Sequence, residues 1–450
     1  MESVIKTGKL DIQFDWLARE TGSDIDRACF ADLSLAVGES FITRLEDVAA
    51  RTVRNQTRAS AYDLAVWLAS NWWRLRWEPE PQNLKSADLD WKMAHNLAAV
   101  GGGYVWPNAS ISSEGSILSI LVNQSQASAD FEPVNYLANF HAWITASDFE
   151  HAVDGFIEGV IQRLNSFAVA DENLALLWNE VLSERQDAAA SQWRKLEALA
   201  GFDPNQAPEG MIQSLVDGIQ SFGQDGIEEF AAGTRQGVAD ELSKIAALGQ
   251  GAPKQSGGGA RISMPTLPKS RKRSRGSNDL LQTPWQVAAE MARKARKAWD
   301  LGDGLIDNKK LAGVLSMPDR YLTSRATAAT QIPFGLRRQN STNVDIYLNK
   351  SYSTTRRFAV SRLLGDHLHF DQNETLIPST EAKTTRQKFQ RAFAQEFLCP
   401  YDALTDKLGT SAPSEDDINS AADYFDVSPL LVRTTLVNRG QLDRMSLYAC

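Results

Sequence analysis

Residues 249–282 carry few of the large apolar side chains that a folded segment must bury. They run Gly249-Gln250-Gly251-Ala252-Pro253, then Gly257-Gly258-Gly259, then Pro265 and Pro268, and then the basic stretch Lys269-Ser270-Arg271-Lys272-Arg273-Ser274-Arg275. Such a composition cannot offset the entropy of ordering itself, so it reads as a flexible linker. That linker divides the 450 residues into blocks, and two or three domains suit the length. The blocks are 1–150, a helical region 151–248, and 283–450. Lys269, Arg271, Lys272, Arg273 and Arg275 are the candidates for contact with nucleic-acid phosphates, although a solvated spacer is the plainer use of the run. The net charge of −9 argues against a uniformly basic nucleic-acid binder.

Cys29, Cys399 and Cys450 are far apart and odd in number, with neither metal-ligand spacing nor a disulfide framework, which suits a reducing compartment. Met1–Lys6 is not the start of a signal peptide. No apolar run approaches the roughly 18 residues of a membrane span. The expectation is a bacterial, cytoplasmic protein with no membrane partner.

In the block 1–150, Leu10-Asp11-Ile12-Gln13-Phe14 alternates as a strand does, and Ile117–Val122 reads the same way. Apolar residues at three and four spacing from Tyr62 to Trp73 predict a buried helix. Gly101-Gly102-Gly103 predicts a turn into an extended Tyr104-Val105-Trp106-Pro107. The tryptophans could stack a base or ligand, but core is the commoner use. Beyond residue 145 the stripes Phe149, Val153, Phe156, Val160, Ile161, Leu164 and Leu174, Leu176, Leu177, Val181, Leu182 predict helices that pack together or bind a partner helix, which would allow oligomerisation. The fold class expected is α+β, predominantly helical, with a tryptophan-rich α+β domain first.

From Thr283 the signals sharpen. Thr283-Pro284-Trp285 is a capped helix start. Ile306–Leu315 suggests a second helix, and Asn343–Asn349 a strand. Then follows Arg357-Phe358-Ala359-Val360-Ser361-Arg362-Leu363-Leu364-Gly365-Asp366-His367-Leu368-His369. The next helix, Gln387–Leu398, carries Phe393-Ala394-Gln395-Glu396-Phe397-Leu398-Cys399-Pro400. Last comes Ala421-Ala422-Asp423-Tyr424-Phe425-Asp426-Val427-Ser428.

In order and spacing these parts, over about residues 283–440, resemble the ImmA/IrrE family of bacterial zinc metallopeptidase-like proteins. The family reads Arg-Phe-Thr-x-Ala-His-Glu-Leu-Gly-His and Phe-Ala-x-Glu-Leu-Leu-Met-Pro at the corresponding places. The resemblance implies a zincin-like C-terminal domain, in which two His one helical turn apart and a later Glu hold zinc while a Glu activates water. In this chain Arg362 and Asp366 stand at the His positions and Leu363 at the catalytic Glu. Phe389, or Gln387 in a shifted register, stands at the third ligand. Arg362 cannot ligate a cation and Leu363 cannot move a proton. No catalytic residue, metal or cofactor is therefore expected.

Arg362 and Asp366 at i and i+4 could form an ion pair filling the vacated pocket, or both could face solvent. Asp366, His367, His369 and Asp371 lie close enough for a remodelled zinc site, against which His367 and His369 diverge by about 200° on a helix. The pocket candidates are thus Arg362, Asp366, His367 and His369. No Walker loop, nucleophile elbow or dinucleotide fingerprint is present.

Three functions follow. The favoured one is an inactive ImmA/IrrE-like pseudopeptidase, a regulator or sensor that recognises a protein or peptide, in the mobile-element, toxin–antitoxin or phage-defence settings the resemblance implies. The second is a metallopeptidase with substitute ligands. The third is a DNA-binding regulator using Val427-Ser428-Pro429-Leu430-Leu431-Val432-Arg433 as a reading helix, with the basic linker on phosphates.

Overall fold

The alternation at Leu10-Asp11-Ile12-Gln13-Phe14 becomes the strand Leu10–Trp16, paired antiparallel to Phe30–Val37 from Leu10↔Val37 to Trp16↔Ala31. A computed structural model describes residues 6–84, 87–125, 133–169, 173–267, 283–338, 341–370, 373–409, 413–443 and 447. They divide into two units, Met1–Ile212 and Gln213–Cys450. The whole is α+β with open sheets. Among the described residues no helix is long and apolar enough to cross a membrane.

In the first unit Phe30–Val37 is central, pairing also with Ser40–Phe41 and Thr57–Ser60. A second sheet runs Lys6–Thr7, Phe140–Thr145, Ile117–Asn123, Asn108–Ser113. The predicted helix over Tyr62–Trp73 is two helices, Ala61–Ser70 and Trp72–Trp77. Gly101, Gly102 and Gly103 all take positive φ, as the predicted turn requires, and the strand after them begins at Asn108 rather than Tyr104. Trp67, Trp72, Trp73, Trp91, Trp106, Trp143 and Trp178 are buried, so most of the aromatic cluster is core and not a stacking platform. The stripe Phe149, Val153, Phe156, Val160, Leu164 of the helix Ala146–Ser166 joins the same core. It is used inside the unit, not on a partner helix.

A buried ionic group also ties this unit together. Arg74 Nε donates to Glu78 Oε2 at 2.7 Å, and His95 spans the Ile111 carbonyl (2.7 Å) and Glu78 (2.9 Å) while stacking on Trp91. Burial alone would raise the Glu78 carboxyl. His95 and Arg74 outweigh it and bring Glu78 down to about 2.

The second unit is built on an antiparallel sheet in the order Gly259–Ser263, Asn343–Tyr347, Phe334–Arg337, Leu376–Pro378. Its first strand lies inside the stretch that composition assigns to a linker. Gly258 and Gly259 there provide close approach, not slack. A Cβ on Gly258 (φ +70°) would lie 2.3 Å from the Ala328 nitrogen, and the Gly258 carbonyl accepts from Leu348 N–H and the Tyr321 hydroxyl. Ile262 is buried and Arg261 pairs with buried Asp345. The helices Gln224–Gly233 and Val238–Gly249, assigned by sequence to a separate helical region, belong to this unit. The basic run Lys269, Arg271, Lys272, Arg273, Arg275 lies outside the described residues, as do Asp371 and Cys450.

On the sheet lie the helix Pro284–Ala298, with its Thr283/Gln286 capping box, the helix Ser353–His369 that carries the motif, and Thr385–Leu398, which packs on both. Three buried arginines bind loops to this layer through backbone carbonyls. Arg296 donates to Gly302, Gly304 and Phe397, and Arg356 to Tyr321, Ala326 and Lys350. Arg357 donates to Ile306 and Asp426 and to the Asn308 side chain.

Where Ser353–His369 crosses Thr385–Leu398, a Cβ on Gly365 would meet the Phe393 ring at 2.6 Å. Gly365→Ala is therefore expected to destabilise the second unit by about 1–3 kcal/mol, as overpacking does. Gly313→Ala, in a helix with open space around it, should instead be neutral or stabilising by up to about 1 kcal/mol. Chemical denaturation of the two variants gives the comparison.

Candidate functional site

All four positions at which the resemblance places a zincin's functional groups are buried, and they divide into core and charge. Leu363 and Phe389 belong to the hydrophobic core of the unit. Arg362 and Asp366 are 3% and 0% exposed, so neither faces solvent. Nor do they pair with each other: Asp366 turns to the helix Thr385–Leu398, and Arg362 to that helix and the loop before it.

Asp366 is gripped by a fork. Arg386 Nε donates to Oδ2 at 2.7 Å and Nη2 to Oδ1 at 2.9 Å, while Gln390 adds a bond at 2.8 Å and Arg337 approaches to 3.5 Å. Burial would raise this carboxyl, but Arg386 and then Arg337 outweigh it and hold Asp366 below the usual carboxylate range. The same pairing overcomes burial at Arg386 and holds its guanidinium above its ordinary value.

Arg362 donates to the Thr380 carbonyl, to Gln387 Oε1 at 2.7 Å and to Glu381 Oε1 at 3.2 Å. The Glu381 side chain is 60% exposed, so its charge is screened and this pairing is weak. Burial and the neighbouring Arg391 push Arg362 down to about 10. Arg391 is likewise lowered by burial, and it bonds the carbonyls of Thr380 and Ala382.

A carboxylate that sequence reasoning did not find completes the cluster. Glu229, on the helix Gln224–Gly233, accepts from the Thr384 hydroxyl at 2.7 Å and hydrogen-bonds Gln387. It lies within electrostatic reach of Arg362, Arg386 and Arg391. Thr384 is the N-cap of Thr385–Leu398, accepting from Gln387 N–H. Glu229 therefore sits where the helix dipole also favours negative charge. Burial nevertheless raises its carboxyl above the ordinary value, with Arg386 opposing. No local motif marks Glu229. The only signal in the sequence was the unmatched positive charge of Arg362, Arg386 and Arg391.

The two histidines separate as helical spacing requires. His367 is buried beside Asp366 and Arg337, whereas His369 stacks on Phe389 at 4.2 Å. They do not share a metal face. A zinc ion placed here would meet the guanidiniums of Arg362, Arg386 and Arg337, with the Asp366 carboxylate already held by three donors. The residues present do not fit the metal. Among the described residues no group of three or more His, Cys, Asp or Glu side chains is placed to hold one. The reading-helix residue Arg433 is 6% exposed and turned inward to Glu415, and so is not presented to a phosphate. The chemistry the arrangement supports is recognition of a carboxylate by guanidinium, hydroxyl and amide donors.

No protein-family model matches the chain, and neither a curated protein nor a solved structure matches it.

Burial, with Arg337 adding to it, pushes His367 down to about 4 from its ordinary 6.5. The folded protein holds the neutral ring, so His367 favours folding above pH 6.5 and that contribution is lost as pH falls through 4. Over this window it amounts to about 3 kcal/mol. Thermal unfolding from pH 7 to pH 4 should fall less steeply for His367→Gln than for the unchanged chain, and parallel slopes would show the ring to be solvated.

Proposed function

We propose that the second unit is a catalytically inactive pseudopeptidase of the ImmA/IrrE pattern, acting as a regulatory or sensor module that binds a protein or peptide rather than cutting it. One observation carries the reading. At the positions where a peptidase of this pattern would hold zinc and its water, Arg362, Leu363 and Asp366 are built into a buried core and a guanidinium–carboxylate network. Neither a cation nor a hydrolytic water has a place in that arrangement. The pattern's frame supports the family side of the reading. Leu364 and Gly365 stand where the family has Leu-Gly, Gly365 allows the motif helix to meet Phe393, and a capped first helix, a strand, the motif helix and a second helix follow in the family's order. A regulatory role in a mobile-element, toxin–antitoxin or phage-defence setting, within the bacterial cytoplasm, accords with it.

The test is metal content together with hydrolysis. The purified full chain is expected to retain well under one zinc per chain, to gain no thermal stability from added zinc, and to leave casein and unstructured peptides uncut with or without chelator. Stoichiometric zinc bound through His367 or His369, or cleavage that a chelator abolishes, would sink the proposal.

A further inference from the structure

Across the sheet of the second unit from the motif helix lies an open cavity of about 380 Å³. Alternation along the strand Asn343–Tyr347 sets the two sides apart. Val344 and Ile346 join the core beneath the helices, so Asn343, Asp345 and Tyr347 stand on the other face. The neighbouring strand Gly259–Ser263 places Arg261 directly across from Asp345. The helix Val238–Gly249 ends over this face, where the Tyr347 hydroxyl donates to its Leu248 carbonyl at 2.7 Å. Between the helix end and the strands, Gln250, Arg261, Arg338, Ser341 and Asn343 line the cavity, together with residues 251 and 252.

Charge does not balance there. Asp345, fully buried, is shared by both arginines. Arg261 gives it Nε at 2.7 Å and Nη2 at 3.1 Å, and Arg338 gives it Nε at 2.6 Å. Arg338 directs its other nitrogens to the Gly249 and Gly251 carbonyls, which also answers the negative end of the helix dipole. Arg261 has no such second duty. Among the described residues its Nη1 meets no acceptor, and neither do the side-chain amides of Gln250 and Asn343. None of the lining residues carries a carboxylate. Both arginine side chains are partly exposed, so a ligand reaches these donors without any element having to move.

We propose that this cavity binds the phosphate group of a small molecule, with Arg261 Nη1 and the amides of Gln250 and Asn343 as donors and Arg338 adding charge. A carboxylate is planar and is met best by one side-on guanidinium edge, and the Nε edge of Arg261 is already held by Asp345. A tetrahedral oxyanion accepts donors from several directions, as strand, loop and helix end offer here. The volume falls in the ~300–1,000 Å³ range of small-molecule sites, so it has room for an organic body beside the phosphate. The site goes beyond the pseudopeptidase reading and does not depend on it.

The test is isothermal titration of the full chain with phenyl phosphate, inorganic phosphate and benzoate, in about 0.15 M sodium chloride so that loose surface attraction is screened. Phenyl phosphate is expected to bind with a Kd below about 1 mM, and inorganic phosphate several-fold more weakly. Arg261→Met, in which Asp345 keeps Arg338 as its partner, should weaken phenyl phosphate by about tenfold or more. Asn343→Asp, which sets a carboxylate at the cavity and leaves the Asp345 pairs in place, should weaken it as much. Lys297→Met, an exposed charge on another helix, should leave the affinity unchanged. Phenyl phosphate binding weaker than about 10 mM, benzoate binding as tightly, indifference to Arg261→Met and Asn343→Asp, or an equal loss in Lys297→Met would each overturn the proposal. Equal affinity for the two phosphates would overturn the organic body and leave free phosphate as the ligand. None of these outcomes bears on metal content or hydrolysis, so the two readings fail separately.

Discussion

The second unit depends on buried guanidinium groups finding acceptors. A guanidinium keeps its charge, carries five donors in a fixed fork and cannot be left dry and unsatisfied. Arg296, Arg356 and Arg357 meet this requirement with backbone carbonyls from segments distant in sequence. Each thereby fixes the path of a loop that has no regular structure of its own. Burial lowers all three, Arg296 to about 10. The loops they hold are accordingly set by the placement of charge as much as by apolar contact.

The same requirement shapes the cluster around the motif helix. A zinc site concentrates ligands around a positive ion, whereas here Arg362, Arg386 and Arg391 are themselves the positive charge and the pocket's carboxylates answer them. Removing one member of such a pair alone would leave an unpaired charge in a dry site, which is strongly destabilising. Arg362 with Gln387, and Asp366 with Arg386 and Gln390, therefore belong together as sets. The apolar pair Leu363 and Phe389 fills the remaining volume as core.

Much of the architecture was legible because periodicity reports burial. The strand at Leu10–Trp16 stands where alternation placed it and the helix from Thr283 where its cap placed it, while the motif helix and its partner stand where the resemblance implied helices. Glycine misled the reading at Gly258 and Gly259, where composition suggested slack but the backbone is pressed against Ala328 and Tyr347. Composition cannot distinguish a glycine that frees the chain from one that admits a neighbour. At the site, the sequence alone showed that Arg362 cannot ligate a cation and Leu363 cannot move a proton. The partners of Arg362 and Asp366 were not legible: the i, i+4 spacing left a mutual pair and solvent exposure both open, whereas tertiary neighbours supplied the partners of both. Glu229 was hidden because it is more than 130 positions before Arg362 and joined to it only by the fold.

The two carboxylates of the cluster are held unequally. Asp366 takes both arms of the Arg386 fork and a Gln390 amide, and the balance of burial and charge favours its ionised form. Glu229 receives a hydroxyl and an amide, faces arginines engaged elsewhere, and is disfavoured as an anion by its burial. A bidentate charge-assisted pair holds its geometry far more firmly than a carboxylate with neutral donors. Asp366 is thus the group that ties the motif helix to its partner, and Glu229 adds the more weakly held charge beside them.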